Sequence, residues 1–221
     1  MQWYRSALLQ LAARNTAGLI ALLARLLTAV RGIWHGTDPQ DKQRIYYANH
    51  ASHGDSVLIW TVLPPRIRDT TRPVAGSDYW ERGWLRQFIG RSVFNSVLIE
   101  RATGSQSNPL APVLQSLDEG ASLIFFPEGT RNTSDELLLP FKSGLYHLAK
   151  SRPAIELVPV WIENLNRVMP KGEVVPIPLI CTVTFGTPFR YEAGMDKNRF
   201  LNKATEALVG LADTVRESSH G

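Results

Sequence analysis

Residues 45–65 read IYYANHASHGDSVLIWTVLPP, and this stretch predicts the architecture of the chain. Ile45–Ala48 has the length and composition of a short buried strand. A polar segment with two histidines follows. Asp55–Leu63 then has helical character, and it ends at Pro64 and Pro65 because proline cannot continue a helix. Strand, loop and helix in this order form the repeating unit of α/β domains.

The remainder of the chain continues this alternation. Further runs of strand length and composition are Pro73–Ala75, Val93–Ile99, Ser122–Phe126, Ile155–Ile162 and Leu179–Phe185. Helices are predicted at Trp80–Ile89, ending at Gly90, and after the cap residue Asn108, with Pro109 at its first position and Gly120 past its end. A final helix has apolar residues at helical spacing, namely Phe200, Ala204, Leu208, Leu211 and Val215. The sequence therefore predicts a single α/β domain with a mostly buried mixed sheet flanked by helices.

Charge and cysteine content restrict the classes of partner and compartment. The 221 residues suffice for one domain with a sizeable core. Residues 1–100 carry twelve Lys/Arg and seven Asp/Glu, a net +5, whereas residues 101–221 carry twelve and thirteen, a net −1. A basic first half favours an anionic partner such as lipid headgroups, an acidic carrier protein or nucleic acid. The single cysteine, Cys181, lies in an apolar run and is predicted to be a buried structural thiol.

The first 31 residues favour lipid over nucleic acid, since they contain four arginines, no acidic residue and many leucines. On a helix, one narrow stripe comprises Gln10, Arg14, Ala17, Gly18, Ala21, Arg25 and Thr28, and leucines cover most of the rest. The uncharged stretch Asn15–Ala24 is shorter than the roughly 20 apolar residues of a membrane span. We expect residues 1–35 to form an amphipathic segment in a membrane interface. The alternative is a helix packed on the domain's own core.

His50, His53 and Asp55 lie close together in the opening stretch and allow several interpretations. A metal site is one, but three ligands on one loop without a clear further ligand make a poor cage. A serine hydrolase is another, but the chain has no G-x-S-x-G nucleophile elbow. In a third, His50 is a general base that Asp55 orients. Asp55 could equally cap the following helix, since Ser52 and Asp55 have the spacing of a capping box.

A second candidate site follows another apolar run, in residues 121–132, ASLIFFPEGTRN. Glycine permits a tight turn there, and Glu128 and Arg131 are expected to project from the carboxyl end of a strand, where α/β sheets commonly bind ligands. Residues 96–104, SVLIERATG, again end an apolar strand in a charged pair that includes Arg101. Arginine at strand ends suits bidentate recognition of phosphate.

These blocks together resemble the glycerolipid acyltransferases, specifically the 1-acylglycerol-3-phosphate acyltransferases. The resemblance rests on Asn49-His50-x-x-x-x-Asp55 and on Phe126–Arg131 (FPEGTR), supported by shorter blocks at Ile99–Arg101, Pro140–Gly144 (PFKSG) and Val158–Val160. It runs through residues 45–190. Two departures concern the acceptor side: Asn95 stands where the family often has glycine, and Asn132 where it usually has serine.

The resemblance implies an activity and a set of site residues within residues 36–221, the expected catalytic domain. His50 and Asp55 would be the catalytic pair, and no metal or cofactor is expected. The acceptor phosphate would be held by Arg101, Glu128, Gly129, Thr130 and Arg131. The acyl donor would be acyl-CoA or an acyl carrier protein, the acceptor a lysophospholipid, and the product phosphatidate. The expected location is the cytoplasmic face of a membrane, with no nucleic-acid partner.

Three alternatives to this assignment remain at the level of sequence. The acceptor could be another lysophospholipid or a lyso-aminolipid. The chain could instead be a metal-dependent hydrolase, which a chelator would inactivate, or a lipid-binding module that binds vesicles without consuming a thioester.

Overall fold

The computed structural model describes residues 2–77, 83–99, 108–163 and 181–218. The strands are β1 Arg31–Trp34, β2 Arg44–Ala48, β3 Thr71–Gly76, β4 Val97–Ile99, β5 Ser122–Phe125, β6 Glu156–Glu163 and β7 Thr182–Phe185. The helices are α1 Gln2–Thr28, α2 Asp55–Val62, α3 Pro65–Thr70, α4 Trp84–Phe88, α5 Ala111–Asp118, α6 Gly144–Ser151 and α7 Lys197–Ser218. A π-helical turn, Ile89–Val93, continues directly from α4.

The described strands form one mixed sheet in the order β1-β7-β6-β2-β5-β3-β4. Strands β6, β2, β5, β3 and β4 are parallel to one another, β7 is antiparallel to β6, and β1 is parallel to β7. The predicted mixed sheet is confirmed. Because β2 lies between β5 and β6 and runs parallel to both, the segments that follow these three strands emerge at the same edge of the sheet.

Helices cover both faces of this sheet, as the buried side chains of β2 demonstrate. Ile45 and Tyr47 belong to the cluster formed with α5, α6 and α7. Tyr46 and Ala48 belong to the cluster formed with α1, α2 and α3. All four residues are fully buried. A strand that is apolar on both faces is expected at the centre of a sheet with helices on either side, and the predicted α/β class is confirmed.

Helix α1 packs on the domain through its small residues rather than through its leucines. Ala21 and Thr28 are buried, and Ala17 and Ile20 pack against the cluster around α2. The Arg25 Nη2 donates a hydrogen bond of 3.1 Å to the carbonyl of Thr61. Among the described side chains of the helix, the exposed leucines are Leu9, Leu11, Leu19, Leu22, Leu23, Leu26 and Leu27. The expected narrow stripe is thus a contact surface for the domain, and the opposite, leucine face is exposed.

Among the described residues, one helix is long and apolar enough to cross a membrane, by length and composition alone. Its window Leu9–Thr28 has a mean hydropathy of 1.2. This window includes Arg14 and Arg25, which the sequence-based expectation counted as interruptions. Core helices of soluble proteins and signal sequences can have the same properties.

The structure departs from the predicted elements in two neighbouring places. The first residues of the predicted helix Trp80–Ile89 lie outside the described residues. Its predicted end at Gly90 is wrong, because Gly90 lies within the π-helical turn. The predicted strand Val93–Ile99 begins only at Val97. Asn95 has a φ of 50°, which no strand residue adopts, so the chain turns there before β4 starts.

Other differences concern helix starts and short elements. The helix after Asn108 begins at Ala111, because the Asn108 Oδ1 accepts a hydrogen bond from the Leu110 N–H in a preceding turn. The two prolines end α2 as predicted, and Pro65 also opens α3, where a proline is tolerated because its missing N–H has no helical partner. Cys181 is fully buried as predicted, and burial raises the pKa of its thiol to about 11.

Candidate active site

The loop between β2 and α2 brings His50 and Asp55 into direct contact. The His50 Nδ1 lies 2.8 Å from the Asp55 Oδ2. A carboxylate oxygen only accepts hydrogen bonds, so Nδ1 carries the hydrogen of this contact, which leaves Nε2 as the basic nitrogen of a neutral ring. The Asp55 side chain is 2% exposed and the His50 side chain 19%. An imidazole oriented in this way, in a partly exposed side chain, has the geometry of a general base.

Asp55 combines the two roles that the sequence left open. Its Oδ2 accepts hydrogen bonds from the backbone N–H groups of Ala51 and Ser52, at 2.7 and 2.8 Å, as well as from His50. It is also the first residue of α2, where a negative charge is favoured by the helix dipole. The predicted capping box is only half formed, because the Ser52 hydroxyl accepts from Gly54 instead of Asp55.

The sequence predicted that Glu128 projects from the strand end. In the structure its side chain is buried instead. It is 1% exposed, and its two carboxylate oxygens accept hydrogen bonds from different backbone N–H groups. Its Oε1 lies 2.7 Å from the backbone nitrogen of His50, and its Oε2 lies 2.9 Å from the backbone nitrogen of Leu139. Burial raises the pKa of this carboxyl above 4.5, and the two backbone N–H groups oppose that rise. This placement ties the His50 backbone to the segment at Leu139.

The turn that follows Glu128 lies next to His50. The Asn132 N–H donates to the His50 carbonyl at 2.6 Å, and the His50 ring stacks on Phe126 with the ring centroids 4.2 Å apart. Between them, Gly129 has a φ of 69°, while Thr130 and Arg131 are exposed. The structure therefore places three of the predicted acceptor-site residues at the same edge as the His50–Asp55 pair.

Arg101, the remaining predicted acceptor residue, lies outside the described residues and stays a prediction. Asn95, which stands where the resembled family often has glycine, adopts a left-handed φ of 50°. Asparagine tolerates this backbone conformation better than most residues that have a side chain. This departure from the family pattern therefore retains the local turn.

Two residues at the site had no role in the sequence analysis. Asn49 is buried, and its side-chain amide pairs with both backbone groups of Ile162: its Oδ1 accepts from the Ile162 N–H at 2.8 Å, and its Nδ2 donates to the Ile162 carbonyl at 3.1 Å. Lys142 lies against Gly129, in the PFKSG segment. Their place in the quoted motifs was the available signal, but both contacts depend on partners distant in sequence.

The metal-site interpretation concerned His53 as well as His50 and Asp55. His53 is exposed in the loop. Within the described ranges, no group of three or more His, Cys, Asp or Glu side chains is arranged to hold a metal ion.

Comparison with known proteins agrees with this fold. Residues 34–163 match the model of the family described as Acyltransferase. A 1-acyl-sn-glycerol-3-phosphate acyltransferase of Chlamydomonas reinhardtii is 32% identical over 140 residues, covering 61% of this chain and 38% of that protein. One from Limnanthes alba is 32% identical over 154 residues, covering 65% of this chain and 50% of that protein. A crystal structure of the 1-acyl-sn-glycerophosphate acyltransferase of Thermotoga maritima shares the fold, with a TM-score of 0.69 at 20% identity over 92% of this chain and 81% of that chain.

The family match covers more than half of the chain, and the chain belongs to the acyltransferase family. The family predicted from the His50 and Phe126–Arg131 blocks is thereby confirmed. The chain spans half or less of the length of the two curated relatives.

Proposed function

We propose that the protein transfers an acyl chain from a thioester, acyl-CoA or acyl carrier protein, to the free hydroxyl of 1-acylglycerol-3-phosphate, which gives phosphatidate. The observation that carries the proposal is the 2.8 Å contact between the His50 Nδ1 and the Asp55 Oδ2 beside the Gly129–Arg131 turn. This arrangement combines a general base, His50, with an exposed segment that carries the positive charge of Arg131. Curated relatives named for this activity support the choice of acceptor.

In this reaction His50 takes the proton of the acceptor hydroxyl as its oxygen attacks the thioester carbonyl carbon. Collapse of the tetrahedral intermediate forms the new ester C–O bond and breaks the C–S bond, and His50 returns the proton to the departing thiolate. Asp55 stabilises the imidazolium that forms between these steps, as carboxylates do in hydrolytic triads. The acceptor itself is the nucleophile, so no covalent acyl-enzyme is required.

Binding of the acceptor phosphate is assigned to the turn after Glu128. Arg131 is exposed and makes no ion pair with any carboxylate of the described residues. A guanidinium in this state is available to hold a phosphate with two parallel hydrogen bonds. Fixing the acceptor beside His50 converts an encounter of two lipids into a positioned reaction, which lowers the barrier by several kcal/mol at least. Arg101 is proposed as a second phosphate ligand on the strength of the family resemblance alone.

We also propose that the leucine face of α1 lies in the cytoplasmic leaflet of a membrane, where both lipid substrate and product reside. Support comes from where this helix ends. The Cys181 N–H donates to the Thr28 carbonyl at 2.9 Å, and β7 starts beside Glu163, at the end of β6. The end of α1 therefore lies at the sheet edge that carries His50. Exposed leucines opposite the packed face are suited to insertion below the headgroups.

Purified protein tests the proposed reaction directly. Acyl-CoA or acyl carrier protein is supplied with lysophosphatidate, other lysophospholipids or a lyso-aminolipid, and both free thiol and product lipid are followed. We expect thiol release to depend on lysophosphatidate and to match phosphatidate formation one to one. Thiol release with water alone would indicate a hydrolase, and acylation of a different acceptor only would replace the proposed substrate.

A further inference from the structure

Lys142 contacts the phosphate-binding turn in a way that the proposed function does not use. A β-carbon built on Gly129 would lie 2.8 Å from the Lys142 Cδ and 3.0 Å from its Nζ. The lysine stem therefore lies flat across the glycine, and its ammonium is at the turn. The Lys142 N–H donates to the Pro127 carbonyl at 2.8 Å, which fixes the backbone of the PFKSG segment beside the turn.

The charge of this lysine has no partner of opposite sign among the described carboxylates. The nearest acid along the turn, Glu128, is buried and has both oxygens engaged by backbone N–H groups. Lys142 is exposed, yet its side chain folds over Gly129 instead of extending away. An ammonium held over Gly129, two residues before the exposed Arg131, concentrates positive charge at this turn.

Gly129 explains why the lysine can reach this position. Its φ of 69° is in the left-handed region that favours glycine, and any larger residue would occupy the space that the Lys142 stem fills. The glycine thus serves both the turn and the close approach of the ammonium.

We propose that Lys142 is a headgroup-selecting residue, whose ammonium binds the phosphate of the acceptor together with Arg131 and favours a phosphomonoester over a phosphodiester. The inference rests on the proposed function and names the chemistry that its acceptor site prefers. A phosphomonoester carries nearly two negative charges at neutral pH, as a phosphorylated side chain does, whereas a phosphodiester carries one. One cation on the turn and a second packed against it suit the more highly charged headgroup.

The test compares Lys142→Gln with wild type on two acceptors, lysophosphatidate and lysophosphatidylglycerol, at the same salt concentration. Loss of a charge-assisted hydrogen bond predicts a rise in KM for lysophosphatidate of about tenfold or more. The ratio of kcat/KM between the two acceptors should fall by a similar factor. Lys142→Arg should restore part of the preference, since it keeps the cation. Lys150→Gln, which removes an exposed lysine of α6, is the matched control and should not change the ratio.

Thermal unfolding of each variant separates a binding effect from misfolding. An unchanged acceptor preference in a folded Lys142→Gln variant would overturn the inference, while activity on lysophosphatidate would leave the proposed function intact. The same conclusion follows if Lys150→Gln changes the ratio as much as Lys142→Gln does. A wild type that acylates no lysophospholipid would overturn the proposed function and this inference together.

Discussion

Asp55 and Glu128 are both buried carboxylates within the candidate site, and they contact different parts of His50. Asp55 contacts the imidazole through Nδ1, whereas Glu128 contacts the backbone nitrogen of the same residue. One carboxylate therefore orients the ring and the other fixes the main chain from which the ring projects. Buried carboxylates with satisfied hydrogen bonds are suited to such positioning because few alternative geometries are open to them.

The role of Glu128 can be tested with Glu128→Gln. A glutamine offers one acceptor oxygen to two backbone N–H groups, so one of them loses its partner. We expect the free energy of unfolding to fall by about 1–3 kcal/mol at neutral pH, and turnover to fall because His50 is held less firmly. Glu136→Gln, at an exposed position in the same segment, is the matched control and should change neither quantity. Denaturant unfolding and steady-state kinetics measure both effects.

The raised pKa of Glu128 adds a pH dependence with a definite sign. Well below its ordinary pKa the carboxyl is protonated in both the folded and the unfolded chain. As the pH rises, the unfolded chain releases its proton first, so the folded state loses stability until the pH passes the raised pKa. Glutamine does not titrate. The stability deficit of Glu128→Gln should therefore be largest in acid and narrow toward neutral pH, and a deficit that widens instead would contradict this explanation.

At the scale of elements, Asn49 extends the pairing of β2 with β6 beyond the last backbone pair. The strand register ends with Ala48 opposite Val160. The Asn49 amide then takes the place of a backbone and pairs with both polar groups of Ile162. This contact sets the point at which the chain leaves the sheet, one residue before His50.

Asn49→Ala should therefore weaken both the fold and the activity. It leaves the Ile162 N–H and carbonyl without partners in a buried position, which costs about 2–4 kcal/mol in the free energy of unfolding. Asn202→Ala, at an exposed position of α7, is the comparison variant and should stay within about 0.5 kcal/mol of wild type. Equal stability of the two variants would remove the assigned role of Asn49.

The elements that the sequence predicted share one property: their apolar residues are frequent enough to reveal a period. Residues 45–48 of β2 and 157–162 of β6 are uninterrupted apolar runs, and the buried residues of α7 recur at helical spacing. The sequence analysis missed the strand β1, which is largely exposed, and the helix α3, which has only six residues. It also missed α6, although α6 is as long as α2 and α5. Local pattern is weak when an element is short and depends on its tertiary neighbours.

The candidate site divides in the same way. The contact of His50 with Asp55 spans five residues, so spacing alone suggested it. Burial of Glu128 could not be predicted, because its partners are the backbone N–H groups of His50, 78 residues away, and of Leu139. Every residue except proline carries the same backbone N–H group, so the sequence does not show which of them a side chain will contact. For the same reason the approach of Lys142 to Gly129 is visible only in the folded chain.

At the scale of the molecule, the leucine face of α1 and the His50 edge of the sheet define how the protein would meet a membrane. A variant with Leu19, Leu22, Leu23 and Leu26 changed to Gln tests this orientation. Replacing four exposed leucines of one helix face should lower partitioning onto vesicles with anionic phospholipid by at least about 100-fold. Because these side chains point away from the domain, thermal unfolding and turnover of a short-chain, water-soluble acceptor should be largely retained. Unchanged vesicle binding in sedimentation experiments would contradict the proposed membrane surface.

The central claim is that His50, oriented by Asp55, acts as the base in acyl transfer, and turnover of lysophosphatidate by single variants tests it most directly. We expect His50→Ala and Asp55→Asn to lower kcat by about 10²–10⁴-fold while folding normally. The asparagine side chain of this variant can still accept hydrogen bonds from the Ala51 and Ser52 N–H groups. The loss of turnover in Asp55→Asn therefore reports the missing negative charge. His53→Ala should keep most of the wild-type turnover. Near-wild-type turnover in His50→Ala, or equal losses in His50→Ala and His53→Ala, would contradict the claim.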